Sequence, residues 1–394
     1  MRRSIGNQVN TDKTERTWKN APYNWTAIIM FIVTSIPVLT ILPWYGLTYG
    51  FSTEAWIAFI AFYIFCGTGI TVGYHRMWSH NAFEGHPIMR FWLAIWGGAA
   101  LENTILDWCA GHRDHHRHVD DNDKDPYSAK RGFWFSHIGW MLRNYPSSRD
   151  NYDNVKNLQA DPIVMWQYRN YGWIIFVMNF LLPLGLGFLV GDVWGMLLLA
   201  GFARIVLTHH TTFFINSLAH MWGSRPYTDE NTARDNHFLA FFTFGEGYHN
   251  YHHIFQNDYR NGIKWWQFDP SKWIIKAGSW IGLTKNLRTV SDFKIQRAKI
   301  TMQLKEAEQK LASKSLKLPE IKLSELKASI EKEYDELKQK LDEWTEIQSQ
   351  KVQQTREDLK AKWEDSEVHA RIKEIEASLK EQHKRLQQLN AQFA

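Results

Sequence analysis

Four apolar stretches constrain this chain more than any other feature: Trp25 to Leu47, Ala55 to Val72, Tyr171 to Val190 and Val193 to Phe214. As α-helices each is long enough to cross the roughly 30 Å hydrocarbon core of a bilayer, and a helix satisfies its own backbone N–H and C=O groups there. The connections Tyr45 to Thr53 and Gly185 to Asp192 carry no Lys or Arg, whereas the N-terminal arm, the segment Arg76 to Arg169 and everything after Arg225 carry many. Because basic residues stay on the cytoplasmic side, the pattern predicts two transmembrane hairpins, with both termini and the central segment cytoplasmic. A fifth apolar stretch, Pro87 to Trp108, is broken by Gly97, Gly98, Glu102, Asn103 and Asp107. It is read as one helix lying against the membrane face or the bundle.

Composition removes several classes of function. The net charge is only +5, and the basic residues are scattered between apolar runs or interleaved with Glu. That distribution lacks the basic stripe of a phosphate-tracking surface, so no nucleic-acid partner is expected. Two cysteines, Cys66 and Cys109, cannot build a disulfide framework or a four-cysteine metal site. Arg2, Arg3, Lys13, Arg16 and Lys19 precede the first apolar stretch without a cleavage site, which argues against a removed secretory signal. With no organelle signal recognised, a bacterial inner membrane is favoured.

From about Ser291 the chain turns to Lys, Glu, Gln, Ala and Leu, with one break at Leu318-Pro319. Leu323, Leu326, Ile330, Tyr334, Leu337, Leu341 and Trp344 recur at spacings of three and four, the seam pattern of a coiled coil. The pattern resumes less regularly at Leu359, Trp363, Ile372, Ile375, Leu379, Leu386 and Leu389. A helical hairpin or a self-associating coil is expected. The fold class is therefore an all-α membrane protein: four transmembrane helices in two hairpins, a cytoplasmic helical cap and a C-terminal coiled-coil extension. The expected domains are a cytoplasmic arm over 1–24, a membrane domain over 25–288 and a helical tail over 289–394.

Of seventeen histidines, eight fall in three short clusters, each on the cytoplasmic side of an apolar stretch. The first is His75-Arg-Met-Trp-Ser-His80; the others are His112-Arg-Asp-His115-His116 and His249-Asn-Tyr-His252-His253. Spacing i, i+3, i+4 puts three imidazoles on one helix face. Imidazole suits Fe, Zn, Cu and Ni alike, so ligand type alone names no metal. Number helps: one zinc takes three or four protein ligands, and these eight with His220 suffice for two metals. Asp107, Asp114, Asp120, Asp121, Asp125 and Glu246 are candidates to orient the rings from outside. His86, His118, His137, His209, His210, His237, His369 and His383 are read as structural, hydrogen-bonded histidines.

At these boxes the chain closely resembles the acyl-CoA (stearoyl-CoA) desaturase family, from about Trp25 to Lys285. Gly132 to Trp140, Asn216-Ser-Leu-Ala-His220, Arg225-Pro-Tyr227 and Gly245 to His253 read as text of that family. The resemblance implies a di-iron site in the cap. One iron would be held by His75, His80, His112, His116 and His252, the other by His115, His220, His249 and His253, with Asn216 facing the second through a water. It also implies O2-dependent desaturation of a fatty acyl-CoA, at the delta-9 position, in a bent tunnel. Trp108 and Thr212 match its bend, Glu102 stands where the family usually has glutamine, and Phe213 where it often has tryptophan. Asn103 and Trp140 complete the expected substrate contacts. Ala110 and Gly111 replace an arginine and an aspartate that contact CoA, leaving Arg143 as the best phosphate partner, ahead of Lys130 and Arg131.

No haem segment or nucleotide-binding turn is recognised, so the two electrons of each turnover are expected from a separate protein, of ferredoxin type or a flavin reductase. Lys124, Lys130, Arg131, Lys264 and Lys272 form a candidate surface for docking it. Two other readings differ in class. A di-iron acyl or alkane hydroxylase would share the histidines, and a membrane-anchored coiled-coil scaffold that senses metal would account for the tail.

Overall fold

The computed structural model describes residues 20–148, 152–314, 320–357 and 367–391. Arg2, Arg3, Lys13, Arg16 and Lys19, the Leu318-Pro319 break, Leu359 and Trp363 lie outside them, as does the Leu323 side chain. The chain is mostly helical. Four helices have the length and apolarity to cross a membrane: Trp25–Thr48, Thr53–Ser79, Pro162–Val190 and Val193–Met221.

Each of the four starts on a residue whose short polar side chain accepts from a free N–H of the first turn. Asn24 accepts from Ala27 N, Ser52 from Ala55 N, Asp161 from Ile163 N and Asp192 from Gly195 N. Asp192 does more, accepting also from the Tyr45 hydroxyl at 2.8 Å and from Ser52 N at 2.9 Å. The two turns that join the helices in pairs are thereby tied together. Deeper in, the buried Arg204 donates to Ala99 O, Ala200 O and Asn179 Oδ1. Its guanidinium binds three segments that share no sequence continuity.

The second long helix changes character after Thr68, because residues Gly69–Ser79 form a π-helix. Its wider i→i+5 hydrogen-bond pattern brings residues five apart toward one face. His75 and His80 are five apart, and His80 N donates to His75 O at 3.2 Å. In an α-helix the pair would diverge.

Pro87 to Trp108 is not one helix. Pro87–Ala99 is helical and so is Ile105–His118, but between them Leu101 and Asn103 adopt positive φ, 63° and 77°. Such a corner is costly for a bulky side chain such as Leu101, less so for Asn103, and is held from several sides. His209 Nε2 donates to Ala100 O and Leu101 O, Asn103 N donates to the Tyr171 hydroxyl, and Gln167 Oε1 accepts from Ile105 N. Tertiary partners, absent from any local pattern, end the first helix and aim the second.

Two compact units are present: residues 1–224 with 231–289, and residues 225–230 with 290–394. In the first, antiparallel Glu84–Gly85 and Thr284–Lys285 pair in the register Glu84↔Lys285. In the second, helices Asp292–Lys314, Glu320–Glu357 and Glu367–Ala391 pack on one another. Phe293, Ile300 and Leu304 of the first, Leu326, Ile330 and Leu337 of the second and Ile375, Leu379 and Leu386 of the third form one apolar seam. Leu341 and Trp344 pack against it, and Tyr334 is more exposed. Arg385 with Glu336 and Arg371 with Glu343 flank it.

Candidate metal centre

The helix Ile105–His118 brings His112, His115 and His116 to the π-helix, and the short helix His249–Ile254 brings His249, His252 and His253. Arg113 fastens the first of these helices in place by donating to Trp78 O, Ser79 O, Asn154 O and Asn157 Oδ1. His220 arrives on Leu218–Met221, just after the fourth long helix.

The nine histidines form two groups whose ligand atoms lie within 4.8 Å of one another: His75, His80, His112, His116 and His252, and separately His115, His220, His249 and His253. This division matches the one implied by the resemblance. In the five-histidine group the Nε2 atoms of His75 and His252, of His80 and His112, and of His116 and His252 are each 2.9 Å apart. In the four-histidine group the spacings are 3.0 Å for His249 and His253, 3.1 Å for His220 and His249, and 3.3 Å for His115 and His253.

What stands behind the rings fixes which nitrogen faces inward. His75 Nδ1 lies 2.8 Å from Glu246 Oε2, and His115 Nδ1 lies 2.9 Å from Asp125 Oδ1. The Thr232 hydroxyl donates to Asp120 Oδ1 at 2.6 Å, so its oxygen accepts from His220 Nδ1 at 2.8 Å. Each of these Nδ1 atoms therefore carries the hydrogen, and the Nε2 lone pair points inward. Burial, reinforced by neighbouring imidazoles, pushes His80, His112, His116, His249, His252 and His253 well below the usual histidine range. Neutral rings with lone pairs facing at such distances repel unless a cation lies between them. Ligand nitrogens about 2.1 Å from a metal and at right angles to each other stand roughly 3 Å apart, so both groups fit a metal.

The outer carboxylates are now distinguishable. Glu246 also accepts from Arg76 Nε and Nη2 and from Asn261 Nδ2, and Arg76 reaches Asp269 as well. Burial by itself would raise Glu246, but His75 and Arg76 hold it below the usual carboxylate range. Asp125 is likewise opposed by burial yet lowered by His115 and by the N–H groups of Asp120 and Tyr127. Asp120 acts through Thr232, a residue with no motif to mark it. Asp107 instead accepts from Thr104 and Tyr152, Asp114 from Asn154 and Asp121 from Asp123 N.

A cavity of about 460 Å³ runs beside the histidines. Glu102, Asn103, Trp108, Trp140, Arg143, Thr212, Phe213 and Asn216 all line it, together with His75, His112 and His249. Glu102 Oε1 accepts from the Thr212 hydroxyl at 2.8 Å and Oε2 from Trp108 Nε1 at 3.3 Å. Trp108 in turn stacks on His112 with ring centres 4.7 Å apart. Burial raises the Glu102 carboxyl to about 7 against the pull of those two donors. Arg143 donates to Ala21 O and to the Tyr23 hydroxyl.

Other side chains fall elsewhere. His137 bridges Ser217 and His210, His86 caps the helix Pro87–Ala99, and His383 meets Gln303. Lys272 does not belong to a docking surface: its ammonium is turned inward, donating to Gly262 O, Lys264 O and Gln267 O. Arg131 lies against the faces of Phe135 and Tyr145, while Lys124, Lys130 and Lys264 are exposed.

Membrane-length helices that present converging imidazoles beside a cavity define a membrane-bound metalloprotein. The family pattern described as "Fatty acid desaturase" matches residues 54–279, more than half of the chain. A probable acyl-CoA desaturase of Schizosaccharomyces pombe is 43% identical over 70% of this chain and 56% of its own length. Acyl-CoA desaturase 1 of Saccharomyces cerevisiae is 38% identical over 73% of this chain and 56% of its own. An sn-2 palmitoyl-lipid 9-desaturase of a Nostoc species is 33% identical over 68% of this chain and 92% of its own. This chain belongs to the fatty acid desaturase family and is an integral membrane protein. It spans little more than half the length of the two yeast relatives. Eukaryotic relatives such as these lend no support to the bacterial inner membrane favoured by the sequence.

Proposed function

We propose that this protein is an O2-dependent acyl desaturase that introduces a cis double bond, at the delta-9 position, into a saturated acyl chain carried by CoA. The observation that carries the reading is the pair of inward-facing imidazole sets on the wall of the cavity. Two ferrous ions there, held by His75, His80, His112, His116 and His252 and by His115, His220, His249 and His253, would supply the reduction of oxygen and the abstraction of hydrogen from an unactivated methylene. Per turnover one O2, two electrons and two protons enter; two acyl hydrogens leave, and two waters form with the alkene.

The side chains do the rest. Trp108 and Thr212, joined through Glu102, form a rigid wall beside His112 and fix which carbons face the metals. Tyr63, which also lines the cavity and donates to Phe242 O at 2.7 Å, would mark its far end. At the other end Arg143 and Asn144 would meet the polar carrier. Asn216 would face the second iron through a water. Electrons would come from a separate redox protein of ferredoxin or flavin-reductase type, for which Lys124, Lys130 and Lys264 offer exposed charge.

The same reading places 1–24, 25–288 and 289–394 as arm, membrane-bound catalytic domain and coiled-coil tail. The two hairpins would cross from the cytoplasmic side, with the helical cap and both termini cytoplasmic, and the tail would offer a route to self-association. Expression in a desaturase-deficient host, followed by mass spectrometry with double-bond localisation, tests the activity. New monounsaturated acids should appear with the intact chain and not with His115→Ala. Hydroxylated acids would replace this reading with a hydroxylase.

A further inference from the structure

Among the described residues, His220 is the metal-group histidine whose outer partner, Thr232, follows a segment that belongs to the other compact unit. The base of that loop is closed by Arg234 N donating to Ala219 O at 2.7 Å and by Ser224 and Asp235 exchanging backbone hydrogen bonds at 2.9 and 2.7 Å. Between these anchors, residues 225–230 belong with the tail. Tyr227 and Thr228 are buried, and within the tail unit Lys305 Nζ lies 2.6 Å from Asp229 Oδ2 and the Lys299 ammonium stands 5.4 Å over the Tyr227 ring. Lys299 and Lys305 both lie on Asp292–Lys314, the first tail helix. Thr232, two residues beyond the held segment, accepts from His220 and is fixed by Asp120 through both its hydroxyl and its N–H.

We infer that the tail acts on metal binding: by holding residues 225–230 it fixes Thr232, and Thr232 with Asp120 fixes the tautomer and aim of His220. Thr232, Asp120, Asp229 and Lys305 are thus positioning residues for the four-histidine group, and the tail sets how firmly that group keeps its ion. A Thr hydroxyl can serve either as donor or acceptor, so its value to His220 depends on being held in one orientation. Asp120 supplies that on one side and the anchored loop on the other. The inference rests on reading the histidines as metal ligands and is independent of desaturation.

The test uses the full chain, purified in detergent and loaded with ferrous iron, with release to a ferrous chelator followed optically. Wild-type protein should release two ions in separable phases. Thr232→Val should weaken retention of one ion about 10- to 100-fold, as loss of an outer-shell partner does, and Thr232→Ser should restore it. Asp229→Lys and Lys305→Asp each reverse one charge of a partly exposed pair, so each should speed release of that same ion only about twofold. The double exchange should return it to the wild-type rate. Failure of wild-type protein to hold two ions would overturn the metal reading itself. Two ions with release unmoved by Thr232→Val, or by the single charge exchanges, would overturn the coupling alone.

Discussion

The two histidine groups share helices and ligand chemistry, yet they are supported differently. Behind His75 stands Glu246, buried and locked by Arg76 and Asn261 within a single packed unit, with Asp269 closing the other side of Arg76. Behind His115 and His220 stand Asp125, held by backbone N–H groups, and Thr232, held at the root of a loop that passes through the tail unit. Equivalent ligands therefore need not be equally durable. The five-histidine group is tied into the core, so its loss is expected to cost the fold, whereas the four-histidine group is expected to loosen with the fold intact.

The largest effect expected from that contrast comes from Glu246→Ala. It leaves a buried guanidinium with half its partners, a change of about 3–5 kcal/mol, so thermal unfolding in detergent should shift strongly and both ions should be lost. A variant that stays folded and loses only one ion would break the comparison. Next comes Glu102, which lies behind Trp108 on the five-histidine side. Its carboxyl is raised from 4.5 to about 7 by burial, so the folded state holds a proton that the unfolded chain gives up. Stability is full below pH 4.5, falls as pH rises and levels off above about 7, a loss on the order of 3 kcal/mol. Glu102→Gln should flatten that part of the stability–pH curve; an unchanged slope would assign it elsewhere.

Asp125→Asn should be milder for the fold and selective for the site. Iron affinity at the four-histidine group should drop about 10- to 100-fold in a chelator competition, with the other ion unmoved. Smallest is Tyr127→Phe, because the hydroxyl is 3.4 Å from His112 Nδ1. That long contact is worth less than about 1 kcal/mol, so both ions and the melting temperature should stay near wild type. A large effect would give the five-histidine group a second outer anchor.

Much of this arrangement is legible before any coordinates, because it depends on spacing. His112, His115 and His116 meet through i, i+3, i+4 geometry, and the four long helices follow from runs of apolar side chains. Leu326, Ile330 and Leu337 mark the tail seam in the same way. What stays hidden is set by distant partners. His209 and Tyr171 decide that Leu101 and Asn103 turn a corner inside Pro87 to Trp108. The choice of Glu246, Asp125 and Asp120 over Asp107, Asp114 and Asp121 is a matter of reach in space. Thr232 carries no charge and sits in no box, so nothing local announces it. The tail adds a third helix, Asp292–Lys314, where the pattern suggested a hairpin or a self-associating coil.

The π-helical stretch Gly69–Ser79 has a genetic corollary. A π turn is an α turn with one residue too many, and here the surplus residue lies on the stretch that carries both His75 and His80. Point substitutions leave the residue count intact, but losing any single codon between Gly69 and Ser79 would let the helix relax to its narrower form and swing the two imidazoles apart. In this segment the number of residues matters to the site alongside their identity.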